Sequence, residues 1–486
     1  MPVPSLKLAA LAGLLLVMAA VGGGNTGTAH AATTRVWTGL VSLNWNTAAN
    51  WDPVGVPAAG DSVVIGAVAL DKTLNNNLPA DTTLASLTIN TRMKIVGNRL
   101  GISSVIQTSS VGITLDLPIV LRGDVDAALA PVGRLVMRPA SSPPGTVALD
   151  MAGHTLTMTS GNGLEFNGDV AGSGTLADKV GSVLFVYPVT FGGQITASAG
   201  TSILFSSSFP VQNVCGSAAN ADLVLTDSFL FTNCPSSVGS VGGSGTIDLS
   251  GPNARLFVRI GETFDGPIKG APPAGFYCCA SSVQTLRGAS TFTGNVFVTA
   301  SSSLYLDGAT FPPTSQFGIQ GATNFPATLG GYGTFGETIL TLGTLDLAPV
   351  NDKFGLARFP TLQFAPTVEV YYEIAGPAPG TGFTQILMTG QIVLDSALLN
   401  LNFTGYSPAV GQSITLVKGA TALLDTFHNF GDGKDLPEGA TFTASGMQFK
   451  ITYLAGAGHD VVVTRVAGTG TPTKFKRFVP FVARDS

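Results

Sequence analysis

The stretch Phe191–Phe205, FGGQITASAGTSILF, decides the fold. It returns at Phe292–Leu306 as FTGNVFVTASSSLYL. Both copies read Phe-x-Gly, then Gln or Asn, then Ile or Val, and both close on apolar residues at alternate places. The opening Phe-x-Gly-x-Ile/Val also stands at Phe166–Val170 and Phe264–Ile268. A second unit occurs three times, as GSGTL at Gly172–Leu176, GSGTI at Gly243–Ile247 and GYGTF at Gly331–Phe335. Self-similar strands separated by glycine turns are the mark of stacked β structure. Strand side chains alternate between two faces, so Ile203 and Phe205, like Leu304 and Leu306, are expected to point inward and stack on the rows above and below. Glycine belongs where the chain turns sharply. A β-sandwich with chance similarity between its strands is the competing reading, since many short strands with glycine turns fit it too.

These motifs, Phe-x-Gly-x-Ile/Val followed by Gly-x-Gly-Thr-Leu, resemble the autotransporter-associated β-strand repeat of secreted bacterial passenger and adhesin-like proteins. Leu149–Met158 adds to the likeness. The resemblance covers roughly residues 60 to 345. It implies an all-β right-handed parallel β-helix, a solenoid, displayed at the cell surface. Two flanking segments are similar to parts of such proteins. Residues 36–66 hold all three tryptophans, Trp37, Trp45 and Trp51, and resemble an N-terminal cap. Residues 345–466 resemble a C-terminal β-rich capping module that ends in a Gly-Asn-Asp-Val-Val-Leu type of strand. Here His459 stands in place of the Asn.

Composition agrees with an exported β protein. Charged residues make up 11% of the 486, against about 25% in an average globular chain. Hydrophobic residues reach 45% and there are 61 glycines, so a large core is available and general disorder is not expected. The net charge is −5 and the basic residues are scattered, so no nucleic-acid partner is expected.

Residues 1–31 read as a signal peptide. Lys7 precedes the apolar run Leu8–Val21, and Ala29-His30-Ala31 forms a small-x-small cleavage site near Ala31-Ala32. The apolar run is short for a membrane span, so no transmembrane segment is expected in the mature chain. The rest divides into a tryptophan-rich cap (32–66), β-solenoid repeats (67–344), the C-terminal β module (345–466), and a linker with a basic-aromatic tail (467–486). Within the repeats, Asn75-Asn76-Asn77 reads as a solvated turn, with an asparagine ladder inside the stack as the alternative. Val368–Ile374 alternates like an antiparallel strand.

Four cysteines, Cys215, Cys234, Cys278 and Cys279, are disulfide candidates after export. Cys215 and Cys234 stand about one repeat apart, which suits neighbouring rows. Cys278-Cys279 would then be a vicinal bridge or two free thiols. No CxxC is present, so no metal site is expected from them. Asp432, Asp435 and Glu438 are the weak calcium candidates, and their spacing matches no EF-hand loop.

Three functions compete. The leading one is a secreted, non-catalytic surface or extracellular-matrix protein, adhesin-like or structural, whose partners are glycans or the surface of a host or neighbouring cell. No Gly-x-Ser-x-Gly, HExxH or P-loop motif argues otherwise. The second is a polysaccharide lyase or glycoside hydrolase, for which the one charged cluster in the repeats, Arg255, Arg259, Glu262 and Asp265, would carry the chemistry. The third is a carbohydrate-binding protein that stacks sugars on Trp45 or Trp51. No cofactor is called for.

Overall fold

The structure is a computed structural model that describes residues 31–139, 146–206 and 217–467. Those from Ala32 on belong to one compact unit. It is all-β: two short 3-10 turns, Ala48–Asn50 and Ala67–Ala69, are the only helical elements among the described residues. Most strand pairs are parallel, and the step between paired residues varies, from 19 at Thr175–Gln194 to 31 at Val125–Leu156. Thr175–Asp178 pairs with Gln194–Ala197 in register Thr175 to Gln194. Arg255–Val258 pairs with Gly275–Cys278, which pairs with Asn295–Thr299 and then Gln316–Gln320. A separate sheet of 10 parallel strands runs in the same order from Thr73–Asn76 to Ile268–Lys269.

Alternation along each strand builds the core. Ile203, Phe205, Leu304 and Leu306 are all fully buried, as the repeat unit predicts. Between rows, like sits on like. Phe166, Phe185 and Phe205 occupy matched positions, with ring centroids 5.5 and 5.7 Å apart. Each such ring removes a large apolar area from water, worth about 1.5–3 kcal/mol.

The glycine units mark where one row lies on the backbone of the next. Gly174 has φ +126°, and a Cβ there would lie 2.1 Å from the His154 carbonyl oxygen. Gly331 has φ +85°, and its Cβ would lie 2.0 Å from the Leu306 oxygen. Positive φ and contact with backbone together admit no side chain.

Three expectations are corrected. First, Asn75–Asn77 is not merely a turn. Asn75 Nδ2 donates to Asn44 Oδ1 (2.9 Å), buried Asn76 donates to the Asn98 carbonyl (2.8 Å), and Asn98 donates to the Leu78 carbonyl (2.7 Å). The amides tie neighbouring rows together, but Asn75 and Asn76 stand in register with Val96 and Gly97, so no asparagine ladder continues up the stack. Second, the boundary placed at 345 falls inside one strand, Glu337–Leu347. That strand pairs in parallel with Gln316–Gln320 before it and with Glu369–Ile374 after it. Third, Glu369–Ile374 is therefore parallel, and it pairs onward in parallel with Leu398–Phe403. Alternation reports burial on one face; it does not report strand direction.

Antiparallel pairing dominates only near the C-terminal end. Thr441–Ala444 pairs with Met447–Ala455, which pairs with Asp460–Ala467, and that strand returns against Ser413–Lys418. Phe449 of this hairpin stacks on Phe403 of the strand Leu398–Phe403 at 5.1 Å. No helix of the described residues is long and apolar enough to cross a membrane. The segments read as signal peptide (1–31, except Ala31) and tail (467–486, except Ala467) lie outside the described residues.

Candidate functional site

The tryptophan box is interior. Trp37, Trp45 and Trp51 are 2, 0 and 1% exposed. Trp51 meets Trp37 and Trp45 edge-on, at 4.9 and 5.6 Å, and its indole N–H donates to the Trp45 carbonyl at 2.8 Å. Buried Asn50 ties the surrounding loop by accepting from the Val41 and Ser42 amides (2.9 and 3.1 Å). Buried Asp61 accepts from the Thr33 and Ala58 amides and pairs with Arg35. A ring sealed on both faces cannot stack on a sugar, so the glycan platform at Trp45 and Trp51 is withdrawn.

The acidic residues considered for calcium each have other partners. Asp432 accepts from Asn429 Nδ2 (2.6 Å) and pairs with Lys434 (3.0 Å). Asp435 accepts from Thr426 Oγ1 (2.8 Å), and Glu438 accepts from the Tyr453 amide (2.7 Å). Among the described residues, no three His, Cys, Asp or Glu side chains converge as metal ligands.

Cys215 lies outside the described residues. Cys234 is buried and disulfide-bonded. Cys278 and Cys279 are free thiols. They point to opposite faces of the strand: Cys278 is fully buried, and burial pushes its thiol far up; Cys279 is half-buried, raised by burial and partly offset by Arg259.

The charged cluster is split by the structure. Arg255 and Arg259 are exposed on one outward face, on either side of Phe257. Asp265 lies elsewhere, 3.3 Å from Arg287, which also donates to Asp307 at 2.8 Å. Asp307 accepts further bonds from the Tyr332 hydroxyl (2.5 Å) and Asn351 Nδ2 (2.9 Å). Burial works to raise the Asp307 pKa, but these donors win and hold it below the usual carboxylate value. Burial and Asp307 together push Tyr332 up to about 12. This is an inter-row clamp. Glu262 belongs to another group: the fully buried Ser240 hydroxyl lies 2.6 Å from Asp222 Oδ1 and 3.4 Å from Glu262 Oε2. Two carboxylates therefore meet on one hydroxyl, which has a single proton to give.

Motif reading missed the outward face around Phe257. Phe257, Tyr277 and Phe297 are in direct register across three strands. Their rings stack at 4.6 and 5.1 Å, with interplanar angles of 21 and 18°. All three are half-buried and outward, between inward neighbours that are fully buried. The signal was present: three aromatic residues exactly one row-step apart. No protein-family model matches the chain, and no curated protein matches it either.

Proposed function

We propose that the chain is an exported, non-catalytic surface or extracellular-matrix protein, adhesin-like or structural. In this reading the parallel rows wind as a right-handed β-helix, closed by the tryptophan box at one end and the antiparallel hairpin at the other, as the resemblance to autotransporter-associated β-strand repeat proteins implies. The observation that carries it is the parallel register, which runs from Thr34–Trp37 past Leu398–Phe403. A scaffold of that kind presents a long regular face, the form suited to adhesion or display. Production with residues 1–31 in a bacterial host tests the export half. The expected product begins at Ala32 and is recovered outside the cytoplasm; an uncleaved chain retained inside would refute it.

One observation favours a glycoside hydrolase as the second reading. Asp222 and Glu262 share Ser240, so their oxygens stand within about 6 Å of each other, near the separation of paired glycosidase carboxylates, about 5–10 Å.

A further inference from the structure

The outward face around Phe257 carries opposite charges at its two ends and an apolar residue beside each. Its first column is Arg255, Gly275, Asn295, Gln316, Glu337, five residues in direct register on five successive strands. The second column, two residues on, is Phe257, Tyr277, Phe297, Gly318, Ile339. Arg255 and Glu337 are exposed, and neither side chain has an ion-pair or hydrogen-bond partner among the described residues. Ile339 is 50% exposed. The two glycines do not leave holes: Phe297 lies over Gly318, and Tyr277 lies over Gly275. The second column is thus an apolar strip, and the first carries an exposed cation at one end and an exposed anion at the other.

We propose that this face is the contact between two copies of the chain, related by a two-fold axis along the strand Asn295–Thr299. That axis keeps each column opposite itself and reverses the order of rows. Phe297 then faces Phe297 of the partner subunit, Phe257 faces the partner's Ile339, and Arg255 faces the partner's Glu337, twice per dimer. A two-fold contact must be self-complementary, and opposite charges two rows either side of Asn295 meet that requirement. A glycan fits less well. The ring faces that would stack on sugars are covered by one another, so the ladder offers edges to an incoming surface. Five rows of about 4.8 Å by five residues of about 3.3 Å give a patch of about 24 by 16 Å. That is small beside a standard interface of about 800 Å² per partner, so the dimer is weak and reversible.

The test is a charge reversal read by sedimentation velocity, on the chain from Ala32, over a dilution series reaching high-micromolar concentration. Wild type is expected to dimerise. R255E alone and E337R alone each turn two attractions into two repulsions and weaken the dimer about tenfold or more. The double variant R255E/E337R rebuilds both pairs and returns to within about threefold of wild type. As a check on the axis, T299C in a C279S background should cross-link to itself with a short bis-maleimide, because Thr299 is on the axial strand. A wild type that stays monomeric overturns the proposal. So do single variants that dimerise like wild type, or a double variant no better than the singles. A monomer retained on an immobilised glycan and released by R255E overturns it in favour of a glycan surface.

Discussion

Replacing Asp178 by asparagine isolates one buried carboxyl whose cost depends on pH. Asp178 ends the strand Thr175–Asp178, is 1% exposed, and has no well-formed hydrogen bond to either carboxyl oxygen. The Thr201 hydroxyl donates to the Ser198 carbonyl at 2.7 Å. Burial raises the Asp178 pKa to about 7, with Val180, Thr201 and Ser202 pulling the other way. The unfolded value is about 3.9. Between these two values the folded state holds more protons than the unfolded state, so stability falls as pH rises and levels off above about 7. About three units at 1.36 kcal/mol each set an upper bound of about 4 kcal/mol. An amide does not titrate. Urea midpoints of wild type and D178N from pH 4.5 to 8 give the assay, converted with a common m-value. D178N is expected to gain on wild type by about 1–4 kcal/mol as pH rises across that range. A difference that stays constant with pH would show that Asp178 is solvated or paired, and would refute the reasoning.

Three further outcomes follow from the same structure. Gly331→Ala puts a Cβ onto the Leu306 carbonyl at φ +85° and should cost about 1–3 kcal/mol or more in thermal or urea unfolding; a neutral substitution would show that the rows are not in this contact. Phe185→Ala removes the middle ring of the Phe166–Phe185–Phe205 stack and should cost about 3–5 kcal/mol. Peptide mapping without reduction should find Cys234 bridged to Cys215. In the same experiment an alkylating agent should label Cys279 on the native protein but Cys278 only after unfolding, and equal labelling of both would contradict their opposite orientation.

The repeat was legible because its causes are local. Phe191, Phe205, Gly174 and Gly331 are where they are because each row must fill the same interior and clear the same backbone. Strand direction was not legible at Glu369–Ile374, because alternation records only which face is buried, and parallel and antiparallel strands alternate alike. The asparagine bonds were not legible for a related reason: Asn76 bonds to the Asn98 carbonyl, a partner fixed only once the register is known. Aromatic residues are first of all core material, so a buried cap was the stronger expectation for the tryptophans, and only the sugar platform at Trp45 and Trp51 fails against their burial. Site reading grouped Arg255, Arg259, Glu262 and Asp265 wrongly, because neighbours in sequence leave a strand on opposite sides of a turn. The Phe257–Tyr277–Phe297 ladder was readable from spacing alone once the step was known.

The claim that the chain is a non-catalytic surface protein is tested most directly by turnover. The chain from Ala32 would be incubated, with calcium, against plant, algal and bacterial polysaccharides, scoring both bound protein and new reducing or unsaturated chain ends. The account predicts no new ends on any polymer, with or without binding. Cleavage that persists through purification and is abolished by D222N or E262Q would contradict it and place chemistry at the carboxylate pair on Ser240.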